Sequence, residues 1–384
     1  MKNLNSSSEI NQSPRRVPFF DYPSVFSSQQ RAFLEIIEDV GRRGAFIMQR
    51  DLEEFETRLA EYLGIAHAVG VANATDGLQM AFMAGGLENG DEVIICSHTM
   101  IATASAVHFA GGVPIPVEAG RDHLIDPESV CAALTDRTRA ICPTQLNGRT
   151  CDMDLIEEIA TEHGLDVYED AAQALGSRYK GRAAGSFGRA ACISFYPAKV
   201  LGCLGDGGAV VTNDHKIYKR LLLLRDHGRA ENGNVMCWGF NSRLDNLHAA
   251  ILSHQLERYD EVVLRRREIA ARYHSELHGC EHVVLPPEPV ESGAHFDIYQ
   301  NYEIEAACRD ELVEFLKARG VGTLIQWGGR PVHQFSELGF NKELPVTDSL
   351  FERIVMLPMN TTLTDDDVEY VCSAVRAFYA ASSG

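Results

Sequence analysis

The fold turns on residues 165–212, LDVYEDAAQALGSRYKGRAAGSFGRAACISFYPAKVLGCLGDGGAVVT. Leu165 to Glu169 reads as a buried strand that delivers Asp170, Ala171, Ala172 and Gln173 at its carboxyl end. Cys192 to Tyr196 is a second strand, followed at once by Pro197, Ala198 and Lys199. The run Gly205-Asp206-Gly207-Gly208 then reads as a tight turn into a third strand, Ala209 to Thr212. Upstream the same rhythm continues. Strands are expected at Ala68–Ala72, Glu92–Cys96, Val113–Val117 and Arg139–Pro143. Helices are expected at Thr75–Ala84, Ile101–Phe109, Pro127–Leu134, Met153–His163 and His215–Asp226. Strands alternating with helices of this size predict an α/β fold: a large, doubly wound, mostly parallel sheet covered on both faces. Ligands of such sheets sit at the carboxyl ends of strands.

Further out, two helices are expected at Gln29–Gly41 and Asp51–Leu63, after a Ser-, Asn- and Gln-rich start whose first dozen residues read as disordered. Past Asp245 a long helical stretch reaches about Leu277, and Pro286, Pro287 and Pro289 break the chain. A smaller αβ unit follows, with strand Tyr302–Ile304, helix Asp310–Arg319, strand Thr323–Ile325 and a final helix Asp365–Tyr379. The expected division is a mostly flexible tail at 1–30, a large cofactor-binding domain at 31–260 and a small C-terminal domain at 261–384.

Composition narrows the function classes. Across 384 residues, 35 Lys and Arg against 54 Asp and Glu leave a net charge of −19. Such a chain is ill suited to nucleic acid or to an anionic membrane surface, both of which reward positive charge. The stretch Val93–Val117 holds no Asp, Glu, Lys or Arg, and its Pro and His residues make it a buried strand, helix and strand rather than a membrane span. No apolar leader is visible in the first sixteen residues. Ten cysteines without a CxxC pair point to free thiols in a reducing, cytoplasmic setting, and no metal-binding motif appears.

Three strand ends carry chemistry. Asn73-Ala74-Thr75-Asp76-Gly77 opens a helix; it is an ordinary cap or a phosphate cradle. Asp170 is a structural carboxylate or an acid partner for a pyridine nitrogen, with Gln173 able to donate to a phenolic oxygen. Lys199 lies in an apolar, Gly-rich setting, where an amine loses its charge readily and can condense with a carbonyl. Together, a phosphate cradle, a ring-nitrogen acid and an amine are the equipment for pyridoxal 5′-phosphate.

The motifs Glu169-Asp170-Ala171-Ala172-Gln173, Ser194-Phe195-Tyr196-Pro197-Ala198-Lys199, Gly205-Asp206-Gly207-Gly208 and Gly239-Phe240-Asn241-Ser242-Arg243-Leu244-Asp245 resemble the DegT/DnrJ/EryC1/StrS sugar aminotransferases over nearly the whole chain. The resemblance implies fold type I, the aspartate-aminotransferase architecture. It implies Lys199 as the Schiff-base lysine, Asp170 against the pyridine nitrogen and Gln173 against the 3′ oxygen. It implies a phosphate held by Ser194 and the amides of Ala74, Thr75 and Asp76, with Asn241 reaching it from the neighbouring subunit of a homodimer with shared active sites. Two departures stand out. Ala74 replaces a usual glycine, and Met100 replaces a usual aromatic over the cofactor ring, with His98 close by. The substrates implied are an amino donor, usually L-glutamate, and a keto-sugar, usually nucleotide-linked. Candidate contacts are Arg229, Trp327, Arg330 and His333, since guanidinium forks onto diphosphates or carboxylates and indole stacks on rings. A keto-cyclitol acceptor, a dehydratase or lyase activity, and a non-catalytic regulatory role are the alternatives. Relatives that dehydrate typically carry His at the lysine position, and Lys199 is present here.

Overall fold

The computed structural model describes residues 15–382, so the reading of the first dozen residues lies outside it. Seven strands form the main sheet in the spatial order His67–Val71, Gly208–Thr212, Ala190–Ser194, Asp166–Asp170, Thr138–Cys142, Glu92–Cys96, Val113–Val117. Gly208–Thr212 runs antiparallel to both neighbours, and the remaining pairs are parallel. Apolar runs such as Val93-Ile94-Ile95 are 0% exposed because helices cover both faces, as parallel strands require. The uncharged stretch is the strand Glu92–Cys96, the helix Ile101–Phe109 and the strand Val113–Val117. Among the described residues no helix is long and apolar enough to cross a membrane, and no group of three or more His, Cys, Asp or Glu could hold a metal ion.

Caps start the helices that the sequence marked. Asn73, Asp126, Asp152 and Asp214 each accept a hydrogen bond from a first-turn amide. In Ala74–Gly85, Gly77 lies against the sheet: a Cβ there would stand 2.6 Å from the Cys192 sulfur. Helix and strand meet more closely than any side chain would permit.

The structure departs from the expected pattern in four places. The first helix is Tyr22–Arg43, not Gln29–Gly41, because Asp21 caps the Ser24 amide and Pro23 occupies the first turn, where its missing N–H is harmless. Residues ahead of it are packed, not free: Val17 bridges Val321 and is 1% exposed. The long helical stretch is two helices, Asn246–Leu256 and Tyr259–Leu277, broken where Arg258 leaves helical geometry. Finally, Thr323–Ile325 is no strand. Leu324 makes an isolated bridge to Met356, and the strand that pairs with Tyr302–Ala306 is Ile354–Leu357, with Val283–Val284 on the other side.

Candidate active site

A cavity of about 460 Å³ opens at the carboxyl ends of the main strands. Ala74, Thr75, Met100, Asp170, Gln173, Ser194, Lys199 and Trp327 all line it, so most of the residues read from the sequence meet at one place.

Lys199 sits in a turn closed by its own amide on the Tyr196 carbonyl at 2.8 Å. Gln300, from the C-terminal part of the chain, clamps the backbone on either side: it accepts from the Val200 amide at 2.9 Å and donates to the Ala198 carbonyl at 2.8 Å. Burial pushes the Lys199 amine down to about 8, although the nearby Asp170 carboxylate works in the other direction. The amine is thereby held close to its uncharged, nucleophilic form.

Asp170 ends its strand with both oxygens engaged. Oδ2 accepts from the Thr103 hydroxyl at 2.6 Å and Oδ1 from the Ala172 amide at 3.2 Å. Behind Thr103 a chain of hydroxyls continues, Thr144 donating to Thr99 at 2.8 Å and Thr99 lying 2.8 Å from Thr103. Gln173 accepts at Oε1 from the Asn147 amide at 2.9 Å.

The cradle forms where three chain segments crowd together. Gly208 is paired with both Val71 and Ser194, and a Cβ on it would stand 2.7 Å from the main chain of Asn73. Ser194, Ala74 and Thr75 therefore converge on the cavity wall. Asp76 does not join them. Its amide is taken by the Asn73 side chain at 2.9 Å, which leaves the Ala74 and Thr75 end of the helix for an anion. The donor set fits pyridoxal phosphate: small residues and hydroxyls at a helix start, a carboxylate at a strand end, an amide, and a half-buried lysine amine in the same cavity.

Other candidates lie elsewhere. His98 is 0% exposed and packs edge-on to Phe351, with Nδ1 on the His123 carbonyl, so it does not cover a ring in the cavity. His333 is buried between the Ser97 hydroxyl at 2.7 Å and Asp348 at 2.9 Å, where it ties loops together. Arg229 forks onto both oxygens of Asp226, at 3.0 and 2.9 Å. Arg330 lies over the Phe335 ring and donates to the Gln334 carbonyl. His333, Arg229 and Arg330 thus each have partners outside the cavity. Asn241 is exposed and does not line the cavity of its own chain.

Phe20, Thr99, Thr103, Thr144, Tyr196, Gln300, Asn301 and Gln326 also line the cavity, and no role for them is written in the local sequence. The i, i+4 spacing of Thr99 and Thr103 was the one visible signal.

The DegT/DnrJ/EryC1/StrS aminotransferase family pattern matches residues 27–376. The dTDP-3-amino-3,4,6-trideoxy-alpha-D-glucose transaminase of Streptomyces venezuelae is 39% identical over 366 residues, spanning 94% of this chain and 96% of its own. The UDP-2-acetamido-2-deoxy-3-oxo-D-glucuronate aminotransferase of Pseudomonas aeruginosa is 36% identical over 341 residues, spanning 88% and 94%. The solved structure of S. venezuelae DesV in complex with a ketimine intermediate matches with a TM-score of 0.91 and 39% identity, over 95% of this chain and 99% of that one. With its cavity lined by Lys199, Asp170 and Gln173, the chain belongs to the DegT/DnrJ/EryC1/StrS aminotransferase family.

Proposed function

We propose that this pyridoxal-phosphate-dependent transaminase moves an amino group from L-glutamate to the carbonyl of a nucleotide-linked keto-sugar. The observation that carries the reading is the half-buried Lys199, its amine lowered to about 8 by desolvation, in one cavity with Asp170, Gln173 and Ser194. Bound there, the cofactor supplies a conjugated ring that accepts an electron pair. Asp170 holds the proton on the pyridine nitrogen, and Thr103 keeps that carboxylate oriented. Gln173 donates to the 3′ oxygen. Ser194, Thr75 and the Ala74 and Thr75 amides bind the phosphate. Once substrate has displaced it, Lys199 Nζ would accept the proton from the carbon that bears the donor's amino group and later give one up, as base and then acid of the transfer.

A homodimer with shared sites goes with this reading. Lys199 is the one cationic side chain among the described residues lining the cavity, and a donor with two carboxylates needs more. Trp238, 95% exposed, and Val235, Met236 and Phe46 give the chain apolar surface for a second copy to cover. Asn241 then reaches the partner's phosphate. A reducing, cytoplasmic setting suits ten unpaired cysteines. The division near residue 260 suits Tyr259–Leu277, which gives Tyr259 and Val263 to the core under the main sheet and Ile269, Tyr273 and Leu277 to a second core.

The test is the visible spectrum of the purified, cofactor-loaded protein. On adding L-glutamate the visible band is expected to give way to a near-ultraviolet one. A band that ignores every amino acid offered would sink the transaminase assignment; one that answers only to another donor would replace glutamate.

A further inference from the structure

The two ends of the Gln173 amide differ in kind, and only the NH₂ end suits an anionic oxygen. Its Oε1 accepts from the Asn147 main-chain amide at 2.9 Å and from Asn301 Nδ2 at 3.2 Å. A main-chain N–H only donates, so the Gln173 atom facing it is the carbonyl oxygen, and the NH₂ end is left over. Asn301 has its own sense imposed. Its Nδ2 also donates to Asn147 Oδ1 at 2.8 Å, an oxygen that accepts from Gln326 Nε2 as well. Asn147 in turn donates from Nδ2 to Glu303 Oε1 at 3.0 Å.

Glu303 is 2% exposed. Burial raises its carboxyl, but His98, His123 and Asn147 outweigh that and hold it below the usual carboxylate range. An ionised carboxylate only accepts. It therefore turns the Asn147 NH₂ toward itself and the Asn147 oxygen toward Asn301 and Gln326. Glu303 thereby sets the sense of Asn147 and, through it, of Asn301, whose Nδ2 adds to the main-chain hold on the Gln173 oxygen. Asn147 serves both ways because its backbone is left-handed, at φ 56°, and is followed by Gly148 at φ 87°. A Cβ on Gly148 would stand 2.6 Å from the Gln300 nitrogen, so the turn admits only glycine there.

Resting on the reading of Gln173 as donor to the cofactor's 3′ oxygen, we propose that Asn301 is a positioning residue: as the second donor beside the Asn147 main-chain amide, it holds the Gln173 carbonyl in place so that the NH₂ end meets that oxygen. Asn301 and Gln326 belong to the C-terminal part of the chain, whereas Gln173 follows a strand of the main sheet. The second part of the molecule thus tunes a cofactor held mainly by the first.

The test reads the pH midpoint of the visible band of the full-length, cofactor-loaded protein. A donor on the 3′ oxygen favours its anionic form and lowers that midpoint; losing the donor raises it. Asn301→Asp keeps the size and removes the donor. It is expected to raise the midpoint by about one pH unit. Asn301→Ser, which still donates, shifts it less, and it decides the matter if the Asp variant fails to hold cofactor. Gln173→Leu raises the midpoint at least as far, and adding Asn301→Asp to it changes nothing more. A shift from Asn301→Asp that persists undiminished in the Gln173→Leu background is a bare charge effect and overturns the proposal. An unchanged midpoint in both Asn301 variants, with Gln173→Leu still moving it, overturns it too and leaves Gln173 in its role. An unchanged midpoint in Gln173→Leu removes Gln173 from the 3′ oxygen and the proposal with it.

Discussion

Lys199 acts only as a free amine, and its burial supplies that form at moderate pH. With the pKa lowered to about 8, the uncharged share grows as pH rises and levels off above that value. At pH 7 roughly a tenth of the chains carry the neutral amine, against well under a thousandth for an ordinary lysine. The rate at which cofactor-free protein captures pyridoxal phosphate is expected to climb about tenfold per pH unit below 7 and flatten above 8. A stopped-flow pH series checks this; a rate still climbing at pH 10 would mean an ordinary lysine. Lys199→Ala should leave a folded protein whose amino transfer falls by about a thousandfold or more, measured as sugar amination per active site. Thr103 makes a subtler case. It gives Asp170 a charge-assisted hydrogen bond, which is worth about 1.5–3 kcal/mol. Thr103→Val is expected to lower kcat about tenfold or more and to loosen the cofactor, while Thr103→Ser retains both. Equal kcat in the Val and Ser variants would make the hydroxyl chain irrelevant.

Elements turn these residues into a site through their ends. Ala74–Gly85 is legible in the sequence because Asn73 is a short polar residue before a helical pattern. Its cap also decides which amides remain for an anion, and that depends on the Asn73 rotamer, which sequence does not carry. Asn73→Ala is expected to destabilise the cofactor-free protein by about 1 kcal/mol in chemical denaturation. It also frees the Asp76 amide, so cofactor affinity should fall less than the helix loses. A variant as stable as the parent would mean the cap contributes nothing. The missed Tyr22–Arg43 start and the missed Ile354–Leu357 strand have different causes: the helix start is set by Asp21 and Pro23, the strand by packing. The strand is a short apolar run whose Val355 and Leu357 join the C-terminal core, a partner the local sequence does not reveal.

At the scale of the whole molecule, the exposed apolar segment around Trp238 makes the second copy testable. Trp238→Asp is expected to shift the protein from dimer toward monomer in light scattering and to lose activity with dissociation. A fully active monomer would remove the shared site. Sequence alone determined the α/β architecture, placed the main-sheet strands to within two residues, and singled out Asp170, Gln173 and Lys199 as candidates, because each follows a buried apolar run within a few residues of the strand's end. Only the tertiary structure decided that Arg229, Arg330 and His333 are engaged outside the cavity and that His98 is buried against Phe351. The same holds for Thr103, Gln300 and Asn301, which brace the site from 67, 100 and 128 residues away in the chain. Hydrogen bonds between distant segments leave no period and no spacing in the sequence; they exist only once packing brings donor and acceptor within about 3 Å and excludes the water that would otherwise satisfy both.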